Sequence, residues 1–203
     1  MNEVKKKHRE IKLDFAGMDS ETVTHTGEQT AYIALGSNIG VRERALYDAL
    51  SFLHGHGQIH VASCSAIYET DPVGYEDQPA FLNMTACVRT TLQPDELLKA
   101  MLAIEKQMGR VRDVRWGPRI IDLDLLWMGE TSWNTDLLTL PHPRMGERLF
   151  VLVPLADIVP ESAVELHAFV HHALGTLDGK EGIRKWSPCK WPSESGLSAS
   201  LGD

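Results

Sequence analysis

The sequence predicts an α+β sandwich of ferredoxin-like order, β-α-β-β-α-β, with a helical elaboration toward its C-terminal end. Three observations predict it. Short, β-branched runs with period-two alternation recur, most clearly in QIHVASCSAIYET and FLNMTACVRTT. Two runs with helical spacing sit between strand-like runs, where two β-α-β units require them. The loop DPVGYEDQPA, with two prolines and a glycine, separates the two middle strands.

Residues 1–29 are polar, charged and without pattern, and read as a flexible N-terminal extension. TAYIALGS is a short apolar strand that Gly36 stops. RERALYDALSFLHGHG places Leu46, Ala49, Leu50 and Leu53 on one helical face. QIHVASCSAIYET is the second strand and FLNMTACVRTT the third. QPDELLKAMLAIEKQMG is a helix: Pro94 suits its first position, Asp95 and Glu96 complement the positive end of its dipole, and Gly109 suits the position beyond its end. IIDLDLLWM is the fourth strand, followed by PHPR, the helical run RLFVLVPLADI and a last helix around ELHAFVHHALG. One domain over 30–183 is expected, with 184–203 as a flexible C-terminal tail.

At 203 residues the chain is long enough for one real core. No apolar run approaches the roughly 20 residues of a membrane span, and the basic N-terminus lacks the apolar centre of a signal peptide, so a cytoplasmic protein without membrane contact is expected. The net charge of −8 argues against a general nucleic-acid binder but leaves room for a local anion site. Cys64, Cys87 and Cys189 are odd in number and far apart, so neither a disulfide framework nor a CxxC metal site fits; buried or incidental thiols are expected.

The run RVRDVRWGPRIIDLDLL concentrates the chemistry. Asp122 and Asp124 are two apart on a strand, so both face one way, roughly 7 Å apart at ~3.3 Å rise per residue. Ile121, Leu123 and Leu125 then face the core. Two neighbouring carboxylates repel, and hard oxygen donors of this kind suit Mg²⁺ shared with substrate phosphates. A bare Asp-x-Asp also fits a solvated edge strand, or an acid–base pair acting on a sugar. Arg110, Arg112, Arg115 and Arg119 disfavour the sugar reading, because guanidinium forks match phosphate oxygens. Between them DVRWGP reads as a lid over a polyphosphate. His142, stiffened between two prolines, and the following Arg144 and Arg148 form a second basic cluster.

GRVRDVRWGPRIIDLDLL resembles the signature of the 6-hydroxymethyl-7,8-dihydropterin pyrophosphokinases of folate synthesis. The resemblance runs in order from YIALGSNIG through YETDPVGYEDQPAFLN to LPHPRMGERLFVLVPLADIVPE, about residues 30 to 160. It implies transfer of the β,γ-diphosphate of ATP to the pterin hydroxymethyl oxygen, with release of AMP. It implies two Mg²⁺ ions on Asp122 and Asp124, and Arg110 and Arg119 on the transferred phosphates. Arg112, His142 and Arg148 match ATP contacts, and Glu105 an acid on the nucleotide side. Thr70, Asp71, Val73 and Asn83 match pterin contacts, with Phe81 and Phe150 around the ring and Trp116 closing from the lid. A monomer acting on small molecules alone is expected. The rival enzyme reading, a nucleotidyltransferase of the polymerase-β type, needs its Gly-Ser turn close to the aspartates, whereas Ser37 precedes Asp122 by 85 residues (122 − 37). An RNA-binding module would need a basic face and exposed sheet aromatics, where these strands carry Asp.

Overall fold

A computed structural model of the chain describes residues 27–72, 74, 77–110, 117–130, 132–179 and 182–192. Its central sheet takes β1 (Gln29–Ser37), β2 (Ile59–Cys64), β3 (Ile67–Thr70), β4 (Phe81–Thr90), β5 (Asp122–Met128) and β8 (Ile183–Ser187), and β6 (Trp133–Asn134) pairs with β7 (Thr139–Leu140) in a separate ribbon. The strand order is β5-β1-β4-β3-β8, with β2 also pairing β4, and every pairing is antiparallel. Helices α1 (Arg42–Gly55) and α2 (Pro94–Gln107) cover one face. Helices α3 (Leu149–Ala156) and α4 (Val164–Thr176) cover part of the other. The molecule is thus an α+β protein with helices on both sides of the sheet.

The helices form where the sequence places them, and for the expected reasons. α1 buries Ala45, Leu46, Ala49, Leu50 and Leu53 in one stripe. Each fully buried leucine contributes about 1.5–3 kcal/mol, so Leu46→Ala, with its cavity, is the kind of change that loosens the layer. α2 starts with a capping box: Gln93 N donates to Glu96 Oε2 at 2.9 Å, and Pro94 occupies the first turn. Gly109 ends it at φ 84°, a left-handed conformation that side chains resist.

Two features differ from the sequence reading. The second strand is two strands. Between β2 and β3, the hydroxyl of Ser65 accepts from Thr85 N at 2.9 Å, and Ser65 N donates to Thr85 O at 2.9 Å. These bonds take Ser65 out of regular alternation, which sequence pattern alone does not reveal. The chain also continues as sheet past 183. β8 pairs with β3 from Ile67↔Ser187 to Thr70↔Ile183, so part of the stretch expected as a tail is an edge strand. Its exposed lysine, arginine and tryptophan residues gave it a polar look.

Alternation in β5 decides where the chemistry lies. Leu123 and Leu125 join the core beneath α1 and α2, together with Ile33 and Leu35 of β1. Asp122 and Asp124 therefore project from the opposite face. A register shift follows: Tyr32 pairs with Trp127 but Ile33 with Leu125, so Leu126 is the extra residue of a bulge. Leu126 and Trp127 then pack on the α3/α4 side, closing the apolar layer just past the aspartates.

Candidate active site

The aspartates form the floor of a cleft of about 690 Å³ on the α3/α4 side of the sheet. One wall comes from the end of β3 and the start of β4, the other from the segment between His142 and Val151, and the rim includes residues 177–179 and 182–183. Of the residues expected at a site, Arg110, Arg119, Asp122, Asp124, His142, Arg148, Thr70, Asp71, Phe81, Asn83 and Phe150 all line this cleft. Arg112, Trp116 and Val73 lie outside the described residues. Glu105 does not line it: it is 2% exposed, behind the floor.

Glu105 serves the floor from below. Its Oε1 accepts from Leu123 N at 2.8 Å and also from Arg110 Nη1 in a very short ion pair. Arg110 Nη1 in turn donates to Asp122 Oδ1 at 2.5 Å, and Arg119 Nη1 donates to Asp122 Oδ2 at 2.5 Å. Asp122 is thus held between two guanidinium groups. Asp124 has a longer contact, 3.4 Å, from Arg148 Nη1. Burial, reinforced by the neighbouring charge of Asp122, pushes the Asp124 carboxyl above the usual range, against the pull of His142, Arg148 and Arg110. Burial holds His142 below its ordinary value, with Arg148 and Arg144 adding to the effect and Asp124 opposing it.

The other end of the cleft carries two aromatic rings. Phe81 lies under the Arg119 guanidinium, 5.4 Å from its ring centroid, and Phe150 lies 5.7 Å from Arg148 in the same way. Asn83 is buried, and its Nδ2 donates to Thr70 Oγ1 at 2.7 Å. That bond fixes the amide, and its Oδ1 faces Gly36, where an added Cβ would come within 3.1 Å.

Sequence reasoning missed Asn38. Its side chain is buried at the end of β1, where it ties the two halves of the cleft together. Nδ2 donates to Gln78 Oε1 at 3.0 Å and Pro79 O at 3.2 Å, while Oδ1 accepts from Arg119 N at 2.8 Å. The signal available was a polar residue directly after a buried strand, where its amide can serve several backbone groups at once. The rim residues 177–179 and 182–183 were also missed, because nothing local marks them.

A carboxylate pair on a sheet face, arginines gripping it, and an aromatic pocket beside it fit a site for a polyphosphate and a flat ring. Residues 32–160 match the 7,8-dihydro-6-hydroxymethylpterin-pyrophosphokinase (HPPK) family. The chain belongs to this family. It is 51% identical over 156 residues to a 2-amino-4-hydroxy-6-hydroxymethyldihydropteridine pyrophosphokinase of Bacillus subtilis, covering 77% of this chain and 89% of that protein. The enzyme of the same description from Pseudomonas aeruginosa is 44% identical over 133 residues, 66% of this chain and 82% of that one. Against the mitochondrial folate synthesis bifunctional protein of Pisum sativum the identity is 38% over 186 residues, and the match spans 36% of that longer protein. The HPPK fold is seen in the wild-type Plasmodium falciparum HPPK-DHPS crystallised with pterin and p-hydroxybenzoate, with a TM-score of 0.54 at 16% identity over 78% of this chain and 45% of that one.

Proposed function

We propose that this cleft binds ATP and 6-hydroxymethyl-7,8-dihydropterin and transfers the β,γ-diphosphate from one to the other, a step of folate synthesis. The observation that carries the reading is the grip of Arg110 and Arg119 on Asp122, with Asp124 beside it on the floor of the cleft. The hydroxymethyl oxygen attacks the β-phosphorus, the bond to the α,β-bridging oxygen breaks, and AMP leaves. Such a transfer depends mainly on positioning and on neutralising charge.

The donor set fits divalent metal. Two hard carboxylates share one face, and the Asp124 carboxyl is raised by burial first and by the charge of Asp122 second, both of which a bound cation would offset. Asp122 and Asp124 are the residues that would hold two Mg²⁺ ions, which when bound supply charge neutralisation and polarisation of the phosphoryl groups. Arg110 and Arg119 present forks of N–H donors, and each can grip a carboxylate and a phosphate oxygen together. His142 and Arg148 flank Asp124 and suit the nucleotide phosphates, with Arg112 expected on the same side. Glu105 positions Arg110 and does not touch nucleotide.

On the pterin side, Phe81 and Phe150 offer ring faces, with Trp116 assigned to the lid. Asn83 offers a fixed amide oxygen to ring N–H donors, Thr70 and Asp71 line the cleft beside it, and Val73 is expected among the pterin contacts. We also read the sheet order as the ferredoxin-like arrangement, and the chain as a cytoplasmic monomer.

The test is product analysis with ATP, Mg²⁺ and the pterin. AMP that forms only with pterin, and stops when EDTA removes metal, is the expected result. Asp122→Ala and Asp124→Ala should each lose at least about 100-fold in kcat with the fold kept. Release of pyrophosphate without AMP, the pattern of a nucleotidyltransferase, would overturn the reading, as would an active Asp124→Ala enzyme.

A further inference from the structure

Cys64 and Cys189 are far apart in the chain but adjacent in the fold. The β3–β8 ladder has Ile67↔Ser187 as its end rung. Cys64 lies three residues before Ile67, and Cys189 two residues after Ser187. The antiparallel register therefore carries both thiols just past the same end of the ladder. Both pack against the same core layer, beneath α1 and α2, and both remain partly accessible. The two thiols are close enough for each to shift the other's ionisation.

The segment around Cys189 is anchored. Lys190 N donates to Tyr47 Oη of α1 at 3.0 Å, and Trp191 N donates to Cys189 Sγ at 3.3 Å. Trp191 packs edge-on against His54 at 5.4 Å. The two thiols also divide their roles. Hydrogen bonding from Cys64 above all, then from Trp191 N–H and Tyr47, lowers the Cys189 thiol to about 7. The same hydrogen bond, together with burial, drives the Cys64 thiol upward. Cys189 is the nucleophile and Cys64 the proton-bearing partner.

We propose that Cys64 and Cys189 form a peroxide-sensitive disulfide site that staples β8 to the sheet. The Cys189 thiolate attacks one oxygen of hydrogen peroxide, the O–O bond breaks, and the departing hydroxide takes up the proton that Cys189 released, giving water and a sulfenic acid. The Cys64 sulfur then attacks the Cys189 sulfur, the S–O bond breaks, and the hydroxyl leaves with the Cys64 proton as a second water. Two thiols and one peroxide become one disulfide and two waters.

The staple bears on the cleft. Gly182 and Ile183, where β8 begins, line it. Arg184 pairs with Glu69 at 3.5 Å and with Asp71, on the cleft wall, at 3.6 Å. A bond between residues 64 and 189 joins positions 125 apart in the chain (189 − 64), so it restricts the unfolded chain strongly.

The full-length protein is treated with hydrogen peroxide near equimolar concentration, blocked with a maleimide, and mapped by non-reducing peptide mass spectrometry. The expected result is one cross-linked peptide pair joining Cys64 to Cys189, reversed by dithiothreitol. A rise in Tm of about 5 °C should accompany it. Cys87→Ser should form the same cross-link, while Cys64→Ser and Cys189→Ser should not. In the untreated wild-type protein, where no variant has to fold, Cys189 should alkylate fastest at neutral pH. A cross-link through Cys87, Cys189 oxidised to sulfinic acid beside a free Cys64, or all three thiols still alkylating after peroxide would each overturn the proposal.

Discussion

Replacing Glu105 by Ala removes a carboxylate that is 2% exposed and serves two groups at once, Arg110 and the backbone N–H of Leu123. Removing one member of a buried ion pair costs about 3–5 kcal/mol, because the other charge stays buried. Leaving the Leu123 N–H without an acceptor costs about 1–3 kcal/mol. The two overlap, since Arg110 keeps its bond to Asp122 and both terms describe the same lost oxygen. The expected total for Glu105→Ala is about 3–5 kcal/mol. Glu105→Gln keeps an amide oxygen for Leu123 and loses only the charge, so about 1–3 kcal/mol is expected. Urea unfolding followed by tryptophan fluorescence reads the difference as a shift in midpoint; with m of about 2 kcal/mol/M, the Ala variant should move by about 2 M. Arg110 would also lose its anchor, so kcat for AMP formation should fall in the folded Gln variant. An Ala variant within about 0.5 kcal/mol of the parent would refute the assignment of Glu105 as a buried strut.

Gly36→Ala would place a Cβ 3.1 Å from Asn83 Oδ1 and 3.9 Å from Phe81 Cδ1, so KM for the pterin should rise several-fold while KM for ATP holds; unchanged pterin kinetics would show that Asn83 does not meet the ring. Asp124 sits above the usual carboxylate range, so its ionisation opposes folding: the metal-free protein loses stability as pH rises from about 3.9 through the raised native value. Asp124→Asn should therefore be more stable than the parent in EDTA at neutral pH yet inactive, as thermal unfolding and product assays would show. Tyr68, whose hydroxyl donates to Asp157 at 2.9 Å, is pushed up to about 12 by burial and by that carboxylate. Its contribution is fully present below the unfolded value of about 10 and is lost as pH rises from there through about 12. Tyr68→Phe should cost about 1.5–3 kcal/mol at pH 7 and flatten the alkaline limb of the stability profile.

The sequence by itself determined the helices, most of the strands and the chemical character of the cleft. Leu46, Ala49, Leu50 and Leu53 define α1 through a period set by backbone geometry, and Asp122 and Asp124 share a face because side chains alternate along any strand. The arginines were legible for a similar reason: their planar donors suit few partners other than oxyanions. These are local properties, readable from neighbours in the chain.

Tertiary structure decided the rest. Whether Glu105 meets nucleotide or supports Arg110 depends on how α2 lies under β5, and no spacing encodes that. β8 looked like tail because an edge strand with polar side chains has no strong pattern of its own; its identity comes from the backbone bonds it makes to β3. Asn38 became a clamp only when β1, the 78–79 loop and Arg119 met around it. Cys64 and Cys189, 125 residues apart, became neighbours through the register of an antiparallel ladder, a relation between distant segments that exists only once the sheet has assembled.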